Sequence, residues 1–95
     1  MKTLFLLLSL LINKHEITFK CQEGVVKKDN SNINYWLTCP DNPWEYCEYT
    51  LLLEQGSYTF VPIEHNKKRV LFTIDERGEV FIRYIDNNIQ FKIIK

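Results

Sequence analysis

From residue 16 onward apolar and polar positions alternate with a period of two. Ile17, Phe19 and Cys21 point one way while Glu16, Thr18 and Lys20 point the other. That alternation predicts a half-buried strand. Glu23-Gly24 supplies a turn, Val25-Val26-Lys27 a short return strand, and residues 28–32 (KDNSN) a polar loop. Residues 34–39 (NYWLTC) form the next expected strand, rich in aromatic and β-branched types. The prolines of Pro40-Asp41-Asn42-Pro43 cannot join a central ladder, so that stretch is a turn.

The second half repeats the pattern. Residues 45–54 (EYCEYTLLLE) place Cys47, Tyr49, Leu51 and Leu53 on one face. Residues 58–64 (YTFVPIE) follow a Gln55-Gly56-Ser57 turn, and Pro62 predicts an edge position or a bulge there. Residues 69–75 and 79–86 flank Glu76-Arg77-Gly78, a compact hairpin loop. Both faces of this hairpin are largely apolar, as in a strand buried on both sides. It is therefore expected either at the centre of the fold or with one face against a partner. Asn87-Asn88 makes a tight turn, since Asn tolerates positive φ, and residues 89–94 close the chain. Six to seven strands without helical periodicity after residue 14 predict an all-β fold. The expected form is a small antiparallel β-sandwich, immunoglobulin-like or meander, with a small β-barrel as the alternative.

Residues 1–12 (MKTLFLLLSLLI) break the alternation. Lys2 precedes an apolar run interrupted only by Ser9. The run is shorter than the ~20 residues a membrane-crossing helix needs, and its layout is that of a secretory signal peptide. Residues 13–20 offer no pair of small residues for cleavage, and the chain contains no alanine. The competing expectation is a buried N-terminal helix or strand. The chain is accordingly divided into a signal peptide over 1–16 and a single β domain over 17–95, with no stable membrane span in the mature form. The expected location is secreted or extracellular, or the secretory-pathway lumen.

That location changes what Cys21, Cys39 and Cys47 mean, because disulfides persist in oxidising compartments. Cys39–Cys47 is the preferred pair, bracketing a turn-prone segment. A bond from Cys21 to either is the alternative, since spacing alone does not fix connectivity. The spare cysteine offers a route to a homodimer. Twelve basic and twelve acidic residues leave the formal charge at zero, without the basic excess of a nucleic-acid binder. Two histidines, His15 and His65, are the only ones present. No phosphate loop, paired-cysteine zinc pattern or nucleophile elbow occurs. Asp75, Glu76 and Glu79 cluster at a hairpin tip without calcium-loop spacing. No catalytic residue, metal site or cofactor is therefore expected, and the chain is read as non-enzymatic.

The remaining candidate chemistry is aromatic. Trp36, Trp44 and Tyr46 lie around Asp41 and Glu45, and Trp and Tyr dominate binding hot spots. Trp44, Tyr46, Asp41, Glu45 and Trp36 are the candidate partner-binding residues, with Trp44 expected to be exposed. The competing expectation for Trp36 and Tyr49 is that they fill the core. A leader on a short disulfide-bearing β domain resembles small secreted interaction modules, including immunoglobulin-like viral or parasite effectors, which implies a protein partner. Two rivals stand beside it: a secreted enzyme inhibitor using the 39–47 loop, and an intracellular oligonucleotide-binding barrel stacking bases on Tyr58, Phe60, Phe81 and Tyr84.

Overall fold

The computed structural model describes residues 14–39, 47–64 and 67–94. Among these, eight strands, against the six to seven expected, are arranged in two antiparallel sheets. The strands are β1 (Lys14–Cys21), β2 (Gly24–Lys28), β3 (Asn34–Leu37), β4 (Cys47–Glu54), β5 (Gly56–Pro62), β6 (Val70–Ile74), β7 (Val80–Ile85) and β8 (Phe91–Ile94). One sheet has the order β4-β1-β8 and the other β3-β2-β5-β6-β7. The sheets stay open, so the molecule is a sandwich and not the alternative barrel. The expected meander is present as β5-β6-β7. The immunoglobulin order, in which the first, second, fifth and fourth strands share a sheet, is not the order found.

β1 starts at Lys14, and Lys14, His15 and Glu16 are paired with Glu54, Leu53 and Leu52. These three residues fall within the stretch the sequence assigned to the leader; residues 1–13 lie outside the described part of the chain.

The core lies between the sheets. Ile17, Phe19 and Cys21 of β1 meet Tyr58 and Phe60 of β5 and Val70, Phe72 and Ile74 of β6 in one buried cluster. Phe72 holds its centre: its ring lies 5.6 Å from Phe19, 5.4 Å from Tyr58 and 5.5 Å from Phe91. Phe19 and Phe91 come from the three-stranded sheet, so aromatic packing joins the two layers. Tyr49, Leu51 and Leu53 of β4 enter the same core from one face, as their spacing predicts.

Two covalent or ionic ties cross between the layers. Cys39, just past β3, is bonded to Cys47 at the start of β4, with Cα atoms 6.1 Å apart. At the other end of β4, Lys28 of β2 pairs with Glu54. The Tyr58 hydroxyl donates to the Glu54 carbonyl at 2.7 Å and ties the β4–β5 corner.

Two glycines mark close approaches. A Cβ on Gly24 would lie 2.4 Å from the Val61 carbonyl oxygen, so only glycine lets β2 come this near β5. Gly78 has φ +85° and sits beneath the His15 ring at the β6–β7 turn. In that turn one Asp75 carboxylate oxygen accepts the Arg77 and Glu79 N–H groups, both at 2.9 Å. The Asp75 carboxylate thus organises the hairpin tip. Asn88 takes φ 69°, as the Asn-Asn turn predicts.

Pro62 corrects one expectation. Its strand is central, between β2 and β6. Pro62 is tolerated there because it is the last residue of β5, opposite Gly24.

Candidate aromatic face

Strand alternation and register assign the outward positions of the five-stranded sheet. In β2 Val26 is fully buried in the core, so Val25 points outward; it is 7 % exposed yet lies outside the core cluster. Its ladder partners are Trp36 on β3 and Val61 on β5. Opposed residues on one face have Cβ atoms about 4.5–5.5 Å apart, so Trp36 and Val61 flank Val25 and shield it. Trp36 itself is 67 % exposed. The expectation that it fills the core is thereby overturned: Tyr35 and Leu37 take the inward positions of β3 and leave Trp36 outside. Tyr49 does pack against the core, with its hydroxyl buried and without a hydrogen-bond partner.

A second row runs Asn34, Lys27, Thr59, Leu71 and Tyr84 across the sheet. A third includes Ser57, Thr73 and Phe81. Phe81 and Tyr84 are about half exposed. The Tyr84 hydroxyl donates to Asp86 at 2.7 Å, and that bond to a carboxylate holds the phenol above its ordinary pKa. Asp86 also accepts the Arg69 N–H, and its carboxyl is held below the usual range by the Tyr84 bond first and the Arg69 bond second. Trp36 and the Phe81–Tyr84 pair stand on the two outermost strands, about 19 Å apart by four strand spacings.

β7 is an edge strand, with Phe81, Ile82, Tyr84 and Ile85 all exposed. Of the two placements expected for the β6–β7 hairpin, β6 is interior and β7 is not. The register slips between Leu71 and Phe72, which pair with Tyr84 and Ile82, so Arg83 is the extra, bulged residue. A bulge carrying a charge breaks an edge into short pieces and opposes continuous pairing with another strand. The apolar character of β7 is thus offered on its face more than along its edge.

Trp44, Tyr46, Asp41 and Glu45 lie outside the described residues, as does His65. Of the candidate partner-binding set, only Trp36 is described. The four-residue stacking platform does not exist: Tyr58 and Phe60 are fully buried on the inner face, opposite Phe81 and Tyr84. Cys21 is also fully buried in the core, so in this fold its thiol does not face a second chain. Burial pushes the Cys21 thiol up to about 12.

Among the described residues no group of three or more His, Cys, Asp or Glu side chains is placed to hold a metal ion. Among the described residues there is no helix long and apolar enough to cross a membrane. The sequence singled out Trp36 as aromatic but carried no sign of Val25 as its neighbour, because that partner comes from register alone. No protein-family model, curated protein or solved structure matches the chain.

Proposed function

We propose that this chain is a small secreted, non-enzymatic binding module that engages a protein partner through the outer face of its five-stranded sheet. The observation that carries the reading is Trp36, largely exposed above a shielded Val25 on a face where Phe81 and Tyr84 are also half exposed. A wholly buried aromatic contributes about 150–250 Å². At their observed exposures these three rings present on the order of 350 Å² in two groups about 19 Å apart. A standard interface takes about 800 Å² from each partner, so the rings supply anchors and the polar row of Lys27, Asn34 and Thr59 supplies the surrounding contact. The Cys39–Cys47 bond is compatible with an oxidising location.

The test is binding of the purified, oxidised protein to an array of secreted and cell-surface ectodomains. Trp36→Ala should lose the captured partner by tenfold or more while melting within a few degrees of wild type. Equal binding by both proteins would remove this face from the reading. N-terminal sequencing of protein recovered from a secreting cell tests the leader separately.

A second reading, an enzyme inhibitor, is favoured by one feature: the disulfide closes the 39–47 loop into a small ring. Closing a loop lowers the entropy it loses on binding. A tight stoichiometric complex with a protease, insensitive to Trp36→Ala, would put this reading first.

A further inference from the structure

Cys47 has two cysteine partners, one by bond and one by register. Its bonded partner is Cys39, at a Cα separation of 6.1 Å. Its directly opposed residue in the β1–β4 ladder is Cys21, which is reduced and buried. Opposed residues of an antiparallel pair stand about 4.5–5.5 Å apart at Cα and project to the same side. Disulfides form at Cα separations of roughly 4.4–6.8 Å. Both pairings are therefore within reach of Cys47 without moving a strand.

We propose that the Cys39–Cys47 disulfide exchanges with a Cys21–Cys47 disulfide, making Cys47 the shared member of a three-cysteine switch. In the step, Cys21 gives its proton to solvent base and its Sγ forms a bond to Cys47 Sγ. The Cys39–Cys47 bond breaks with its electron pair on Cys39 Sγ, which takes up a proton. One disulfide and one thiol are present before and after, so no oxidant or reductant is consumed.

The two states differ in what they tie together. Cys39–Cys47 links the end of β3, in the five-stranded sheet, to β4 in the three-stranded sheet. Cys21–Cys47 lies within the three-stranded sheet alone. Exchange therefore opens the 39–47 ring and releases the end of β3, the strand that carries Trp36, from β4. The resting fold restrains the reaction. Cys21 is buried with Tyr49 beside it, and the Glu23 carboxylate accepts the Cys39 N–H at 2.6 Å. Negative charge is unwelcome on either departing or attacking sulfur, so exchange waits on transient solvent access to the Cys21 thiol while the β1–β4 register is kept. The switch stands on cysteine geometry and holds whatever the outer face binds.

The test uses the full chain. Cys39→Ser is equilibrated with oxidised and reduced glutathione under native conditions, and its bonds are mapped by mass spectrometry. A Cys21–Cys47 disulfide with no free thiol in denaturant is expected, oxidised glutathione being reduced as it forms. Two free thiols in a variant with wild-type circular dichroism would overturn the switch. Should the variant misfold, the wild type decides. It is incubated with catalytic reduced glutathione, quenched in acid, then alkylated in denaturant. The label should start on Cys21 alone and appear on Cys39 with a matching loss from Cys21. A label that stays on Cys21 overturns the proposal.

Discussion

On the three-stranded sheet the outward positions of β1 are Lys14, Glu16, Thr18 and Lys20, facing Glu54, Leu52, Thr50 and Glu48. Charge opposes charge at both ends, and the Thr18 and Thr50 hydroxyls bond to one another at 3.0 Å. On the five-stranded sheet the outward positions include Val25, Trp36, Val61, Leu71, Phe81 and Tyr84. Both sheets bury their inner faces in the same core, so core packing does not account for the difference. A solvated face needs only polar side chains that pair across strands, and the first sheet has them except at Leu52, which is 60 % exposed. Exposed aromatic rings add nothing to solubility, and among the described residues they are concentrated on this one sheet, the face proposed above to bind.

The comparison is broken most severely if inner and outer aromatic residues prove equivalent. Phe72→Ala empties the junction of Phe19, Tyr58 and Phe91, and large aromatic deletions in cores cost about 3–5 kcal/mol. Phe81→Ala, on the neighbouring strand, removes an exposed ring and should cost well under about 1 kcal/mol. Chemical denaturation of both variants measures the gap. Equal losses would place Phe81 in the structural core and take it off the candidate surface.

Gly24→Ala comes next. It sits in the β2–β5 ladder, and its added Cβ meets both the Val61 carbonyl and the Phe60 ring. Overpacking of this kind costs about 1–3 kcal/mol. The displaced β2 carries Val25, so the shift would also disturb the aromatic face. The expected signature is a lower denaturation midpoint, together with greater exposure of the Trp36 fluorophore. An unchanged midpoint would show that β2 and β5 have room to separate.

Two buried core groups also set a response to alkali. Burial first, then Tyr35 and Glu54, push Tyr58 up from 10.0 to about 12, and burial pushes Cys21 up from 9.0 to about 12. Both groups bind their protons more tightly folded than unfolded. Their contribution to stability is therefore complete below about pH 9 and drains away as pH rises through 9 to 12. Melting temperature should fall across that window. Cys21→Ala, which also abolishes the exchange, should move the start of the fall upward by about one pH unit, toward the point where Tyr58 titrates in the unfolded chain. An onset unmoved by Cys21→Ala would mean the thiol is not the first group to lose its proton.

Much of the sandwich was legible because period-two alternation fixes strand existence, and each expected strand has a counterpart. What alternation does not fix is which of two faces turns inward. In NYWL either Tyr35 and Leu37 or Asn34 and Trp36 satisfy the period, and the choice is made by pairing Tyr35 with Val26 across the ladder. The same gap explains the β6–β7 hairpin. An apolar pattern on both faces suits an interior strand and an exposed edge equally, and the order of strands decides between them. The bulge at Arg83 left no mark in the sequence, since it reflects a slip between two strands. Cys39–Cys47 was favoured by spacing, yet the position of Cys21 opposite Cys47 emerges only from register.

The smallest effects bear most directly on the two faces. Trp36→Gln removes a ring that shields Val25, and cross-strand pairs contribute roughly 0.2–1 kcal/mol. For a domain of this size that is a fall of a few degrees in melting temperature, at about 4–8 °C per kcal/mol. Lys20→Gln, at the corresponding outward position of the other sheet, removes one charge opposite Glu48 and should change stability by no more than about 0.5 kcal/mol. On thermal melts the two variants are nearly indistinguishable. They separate in partner binding and in self-association at high concentration, where Trp36→Gln should reduce both and Lys20→Gln neither. Identical behaviour in those two measurements would mean that the apolar face is only a tolerated surface, and the contrast between the sheets would lose its functional content.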